Sequence, residues 1–141
     1  MQETIFRIAS KEDAKSINDI SKNELGYSDC TESLVLQKLK KIDFENEVVF
    51  VAEYKKKVIG FIHAQIYDVL YYENMVNILG LAVDSKFTKN GIGKSLMAKV
   101  EEWAKSKNIK LIRLNSGGAR TLNWPHNAPP ESFLFIQKSA F

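Results

Sequence analysis

Apolar positions along the chain follow two spacings, and the order in which those spacings alternate predicts the fold. Residues 4–9 (TIFRIA) form a short β-prone run. Ser10 followed by Asp13 is a capping-box-like start for a helix carrying Ala14, Ile17 and Ile20 at helical spacing. Gly26 closes that helix, YSDC is a loop, and Thr31 caps a second helix whose Leu34, Val35, Leu39 and Ile42 fall on one face. Residues 47–54 (EVVFVAEY) and 58–67 (VIGFIHAQIY) are β-branched and aromatic runs separated by Lys55, Lys56 and Lys57. That spacer has the length of a hairpin turn without the Asn-Gly chemistry of the best ones, so the two strands pair antiparallel. The run from Met75 to Val83 is the third member of this meander. Beyond it Ile92, Leu96, Val100, Trp103 and Ala104 mark an amphipathic helix, and residues 109–114 (IKLIRL) supply another strand. Strand, Gly-rich turn, helix and strand in that order make a βαβ unit with a parallel pair. The whole reads as an α/β protein: a mixed, mainly antiparallel sheet of about five or six strands with helices on both faces.

Composition narrows the class without changing that picture. A chain of 141 residues accommodates one domain, and 45% hydrophobic with 26% charged residues is ordinary globular usage. Lys and Arg total 20 against 17 for Asp and Glu, interleaved as in KVEEWAKSK, so the charge pattern asks for no nucleic-acid partner. The lone cysteine, Cys30, forms no internal bridge and builds no cysteine-based zinc site, and no metal site is expected. Neither a signal core nor an apolar run near 18 residues is present, so the expected chain is cytoplasmic and makes no membrane contact.

The segment that carries chemistry is Asn77-Ile78-Leu79-Gly80-Leu81-Ala82-Val83, a short loop, and then Lys89-Asn90-Gly91-Ile92-Gly93-Lys94 opening a helix. Glycines let the backbone turn tightly and a ligand approach, while the unpaired amides and positive end of the helix attract phosphate. As a bare G-x-G this is also readable as a plain strand-to-helix turn. A P-loop requires a glycine where Thr88 stands, and a dinucleotide fingerprint requires one where Leu96 stands, so both fail.

Thr88-Lys89-Asn90-Gly91-Ile92-Gly93 resembles the pyrophosphate loop of the GNAT superfamily of N-acetyltransferases, whose pattern is Arg or Gln, two residues, Gly, one residue, then Gly or Ala after a central strand. Both glycines fit; Thr88 departs from the long polar residue at the first position. The flanking ILGLAV, EEWAKSKNI and IRLNSG and the order of elements upstream extend the resemblance over about residues 4–120. It implies acetyl-CoA as cosubstrate, held by Asn90, Gly91, Ile92, Gly93 and Ser95 at its pyrophosphate, with Lys89 and Lys94 adding charge. The strand before the loop then splays from its neighbour and offers the backbone of Leu81, Ala82 and Val83 to the pantetheine arm. Each of these is equally readable as a strand or surface residue by its side chain.

On the acceptor side, strand alternation sets His63, Gln65 and Tyr67 on one face, an unusual polar run for a sheet interior. His63 and Glu53 are the two candidates for the base that deprotonates an amine, with Gln65, Tyr67 and Asn77 as candidate acceptor contacts. Every one of these also has a structural reading as a satisfied polar residue. The implied activity is acetyl transfer from acetyl-CoA to a primary amine, of a small molecule or a peptide, by direct attack. The alternatives are a catalytically impaired acyl-CoA-binding or interaction protein and, less in keeping with the charge pattern, a nucleic-acid module.

After about residue 120 the single domain, residues 1–141, departs from the family pattern. The chain reads GGARTLNWPHNAPPESFLFIQKSAF, where prolines interrupt any helix beginning at Arg120 and leave at most a late helix or strand from about Glu131. If FLFIQKSAF takes the place of the family's Phe-Tyr helix, Ile136 stands where the tyrosine acid would be. A natural variant, a truncation and a shifted reading frame all account for such a tail. A divergent tail would still pack Phe133, Phe135 and Phe141 on the sheet. Loss of the usual final hairpin would expose a sheet edge that a homodimer would cover.

Overall fold

A computed structural model describes residues 3–116 and 134–139 of the chain. The elements are β1 (Thr4–Ile8), α1 (Ala14–Leu25), α2 (Glu32–Lys40), β2 (Glu47–Tyr54), β3 (Lys57–Tyr67), β4 (Met75–Val83), α3 (Ile92–Ser106), β5 (Leu111–Ser116) and β6 (Leu134–Ser139). They form one six-stranded sheet in chain order. β1 to β4 are antiparallel neighbours, while β5 runs parallel to β4 and β6 parallel to β5. The expected mixed sheet, its antiparallel meander and its parallel βαβ unit are all present. Among the described residues no helix is long and apolar enough to cross a membrane, and no group of three His, Cys, Asp or Glu is placed to hold a metal ion.

Alternation along the strands feeds two cores. Val48, Phe50 and Ala52 of β2, with Ile62 and Ala64 of β3 and Val76 and Ile78 of β4, pack under Ile92, Leu96, Met97 and Val100 of α3. Val49 and Val51 of β2, Phe61 of β3 and Ala82 of β4 pack under Ile17 and Ile20 of α1. α3 sits so close to β3 that a Cβ on Gly60 would lie 3.1 Å from the Ala82 carbonyl oxygen and 3.4 Å from Ile92 and Leu96, which is why glycine stands there.

Three local details differ from the sequence reading. The β2–β3 turn is closed by Lys55 and Lys56, with φ of 52° and 66°, the left-handed pair that a two-residue hairpin turn needs even when lysines must supply it. β5 begins at Leu111 instead of residue 109 because Asn108, at φ 60°, ends α3 and the Ile109 amide turns back to the Ala104 carbonyl. α2 buries none of its residues. Its Val35 and Leu39 pack half-buried against the core under α1, and a groove remains beside them.

The tail also takes a different form from the helix considered above. Residues 134–139 are a strand, and Ile136 is the ladder partner of Arg113, so this segment does not stand in for a Phe-Tyr helix. Trp124, the three prolines, Phe133 and Phe141 lie outside the described residues.

The entry to α1 is fixed by charge. Ser10 donates its amide to the Asp13 carboxylate at 2.8 Å, and Arg7 on β1 donates to both oxygens of that carboxylate at 2.8 and 2.9 Å and to Glu53 at 2.9 Å. Burial pushes the Asp13 carboxyl up, but the Arg7 guanidinium and the Ser10 amide outweigh it and hold the group below the usual carboxylate range. Asp13→Ala should therefore cost about 2 kcal/mol in urea unfolding at neutral pH. A depressed folded pKa contributes its stability above the unfolded value of about 3.9 and loses it as pH falls through the lower folded one. Wild type and variant should thus converge in strong acid; an unchanged gap there would show that the carboxylate's charge is not what holds the helix.

Candidate functional site

The parallel ladder between β4 and β5 covers only Val76, Ile78 and the Asn77 between them, opposite Ile112, Leu114 and Arg113. Among the described residues β4 has no partner on its β5 side from Leu79 onward. At the same point β4 carries an extra residue: His63 pairs with Gly80 and Ala64 with Ile78, so Leu79 is left over as a bulge. The extra residue falls immediately after the last β4–β5 pair, where a bulge bends and twists its strand. Which amides face the opening follows from strand alternation. Asp84 donates its amide to the Ile59 carbonyl at 2.7 Å, so two residues back Ala82 also bonds toward β3, while Leu81 and Val83 direct their amides to the open side. Of the three backbone positions named from sequence, two face the crevice and Ala82 does not.

The loop that follows leads straight to the helix. Asp84 accepts from the Lys86 amide at 3.0 Å, the Thr88 hydroxyl donates to the Ser85 carbonyl at 3.3 Å, and Phe87 packs edge-on to Tyr54 with ring centroids 5.6 Å apart. Thr88 is thus spent on the turn. Gly91 caps α3 at φ 74°, a left-handed conformation, and no side chain bonds the first turn. Ser95 donates its amide to the Gly91 carbonyl at 3.1 Å, the first bond of the helix, so the amides of Ile92, Gly93 and Lys94 point outward without intrahelical acceptors. Ser95 keeps only its hydroxyl for a ligand. Lys89, Asn90 and Lys94 are exposed around the turn, and the Ile92 side chain is core. A Cβ on Gly93 would lie 4.0 Å from Val83, which sets the helix N-terminus beside the splayed end of β4. Anion-seeking amides and an unpaired strand edge therefore meet in one place.

Across the sheet, a groove of about 520 Å³ lies between α1, α2 and the strands, with His63, Glu47, Leu79 and Gly80 on its sheet side. His63 Nε2 lies 2.5 Å from the Glu47 carboxylate, both groups partly exposed. The carboxylate accepts only, so Nε2 carries a hydrogen, and in the neutral ring it is Nδ1 that holds the lone pair. Sequence reasoning missed Glu47, although its register opposite Gln65 sets it next to His63. His63 is also the partner of Gly80, two residues past the last β4–β5 pair, so a potential base stands beside the opening.

The other acceptor-side residues separate. Glu53 is not brought to His63: its carboxylate is held by Arg7, and it stands four residues beyond the His63 partner Val49, about 13 Å along β2. Asn77 and Tyr67 share the His63 face but serve a buried Arg113, whose Nε donates to Asn77 at 3.2 Å and whose guanidinium lies 4.5 Å from the Tyr67 ring centre. Gln65 is exposed between Glu47 and Asn77. Cys30, distant along the chain, lines the same groove as His63.

Comparison with known proteins gives a family match: residues 14–123 fit the acetyltransferase (GNAT) family. A GNAT family acetyltransferase from Staphylococcus aureus subsp. aureus is 28% identical with a TM-score of 0.67, over 90% of this chain and 98% of that one. The aminoglycoside N-acetyltransferase AAC(6')-Iy in complex with CoA is 20% identical with a TM-score of 0.68, over 79% of this chain and 76% of that one. Glucosamine-6-phosphate N-acetyltransferase from Arabidopsis thaliana is 17% identical with a TM-score of 0.68, over 80% and 82%. No curated protein sequence matches the chain.

Proposed function

Because the chain belongs to the GNAT family of acetyltransferases, we propose that it moves an acetyl group from acetyl-CoA to a primary amine by direct attack. The observation that carries this reading is the end of β4–β5 pairing at Ile78 beside the uncapped N-terminus of α3. The three outward amides of the helix and the exposed Lys89, Asn90 and Lys94 suit a pyrophosphate, and the Leu81 and Val83 amides suit the amide groups of a pantetheine arm. The CoA complex of the aminoglycoside acetyltransferase with this fold supports the same ligand.

Acetyl-CoA supplies an acetyl group already activated as a thioester. The protein's part is positional and electrostatic. Amides at the splayed edge polarise the carbonyl oxygen, the groove under α2 holds the amine, and His63 Nδ1 takes its proton while Glu47 keeps the ring in that tautomer. Gln65 beside Glu47 is open to the acceptor. With Glu53 held by Arg7, the base assignment goes to His63 alone. A thiol of pKa about 8.5 is a good enough leaving group to depart without a protein acid, so water reprotonates it.

No covalent enzyme intermediate is required. Cys30 lines the groove, but among the described residues no hydrogen bond joins it to His63, whose Nε2 is taken by Glu47. Cys30→Ala should keep turnover within about twofold, measured as thiol release from acetyl-CoA across amine classes. Isolation of an acetyl-Cys30 species would replace direct attack by a two-step route. Tight CoA binding with no amine-dependent thiol release for any class would leave a CoA-binding protein in place of an enzyme.

A further inference from the structure

The groove under α2 has a charge character that selects among amines. Its walls are apolar, from Ile17 and Leu25 on α1 and Val35 and Leu39 on α2 to Phe61 on the sheet. Glu47 is its one carboxylate among the described residues, and that carboxylate is occupied by His63. The two remaining charged members are Lys38 and Lys41, both exposed, and neither takes part in an ion pair of the described residues. The charge left over for a ligand is therefore positive. A polycationic amine entering here would meet apolar walls and two like charges, with no spare carboxylate to receive its other ammonium groups.

Resting on the acetyltransferase reading, we propose that the acceptor is a small amine with an apolar body and a carboxylate, the chemistry of a short apolar peptide. The amine end lies at His63 and Glu47, the apolar body fills the space between α1 and α2, and the carboxylate is received by Lys38 or Lys41. A groove of about 520 Å³ is within the range that holds a drug-sized ligand. The apolar face of α2, half-buried at Val35 and Leu39 against the core under α1, becomes the wall of the specificity pocket.

Calorimetric binding of three probes to the CoA-loaded protein tests this without requiring turnover: dileucine, dileucine amide, and an aminoglycoside such as kanamycin. Dileucine should bind about fivefold more tightly than its amide, and kanamycin more weakly than both. The double variant Lys38→Gln, Lys41→Gln, altered only at exposed positions, should remove the preference for the free carboxylate by weakening dileucine to the level of its amide. Kanamycin binding as tightly as dileucine, equal binding of dileucine and its amide, or a preference untouched by loss of the two lysine charges overturns the proposal. Dileucine bound with the expected preference by a protein that releases thiol with no amine class would instead overturn the acetyltransferase reading and leave the groove's selectivity standing.

Discussion

Gly93→Asp is expected to hold or slightly raise the melting temperature while lowering affinity for CoA about hundredfold, a loss of about 2.7 kcal/mol. The two effects have opposite signs because one charge acts on one site in two ways. Gly93 is the second residue of α3, where a carboxylate is favourable to the helix dipole by a few tenths of a kcal/mol. The added Cβ finds ordinary contact distance, 4.0 Å from Val83, so the substitution introduces no clash. Yet that carboxylate stands among the amides of Ile92, Gly93 and Lys94, where a pyrophosphate would have to sit, and repels it. Gly91 gives a second handle with a different control. At φ 74° both Asp and Asn are tolerated better than other side chains, so Gly91→Asn carries the backbone strain and Gly91→Asp adds the charge. Calorimetry should find the Asp variant at least tenfold weaker for CoA than the Asn variant. Wild-type affinity in both Asp variants would remove the anion site from the helix N-terminus.

The helical and strand periods made the elements legible because each element buries one face, and burial writes its period into the sequence. The capping box at Ser10 and Asp13, the Thr31 cap, which accepts from the Leu34 amide at 3.1 Å, and the left-handed Gly26 mark helix ends by local chemistry alone. The G-x-G turn was readable for the same reason, since its geometry is local. What sequence did not carry is tertiary. Glu47 and His63 are 16 positions apart and meet only through the β2–β3 register. Glu53 looked as available as His63 until β1 brought Arg7 beside it. Cys30 stands far from His63 in the chain and shares a groove with it in space. The bulge at Leu79, where the β4–β5 pairing ends, has no glycine or proline of its own to announce it; Gly80 follows it, and only the pairing of β3 with β4 reveals the extra residue.

His63→Ala should reduce kcat about a hundredfold with KM for acetyl-CoA unchanged, since general bases contribute roughly 10²–10⁴ in rate and the ring touches none of the groups that hold the cosubstrate. Glu47→Gln separates position from charge. The amide oxygen of Gln still accepts from Nε2–H and holds the tautomer, so the ring keeps Nδ1 free, but no negative charge remains beside the imidazolium that forms when Nδ1 takes the proton. The loss in kcat should therefore be smaller than for His63→Ala, and the double variant should cost no more than His63→Ala alone, because Glu47 acts only through the ring. Glu53→Ala is the contrasting case: it takes a partner from Arg7 and lowers stability modestly, with kcat within about twofold of wild type. A full-strength kcat in His63→Ala, or losses in Glu47→Gln and His63→Ala that multiply in the double variant, would show that the proton leaves by another route.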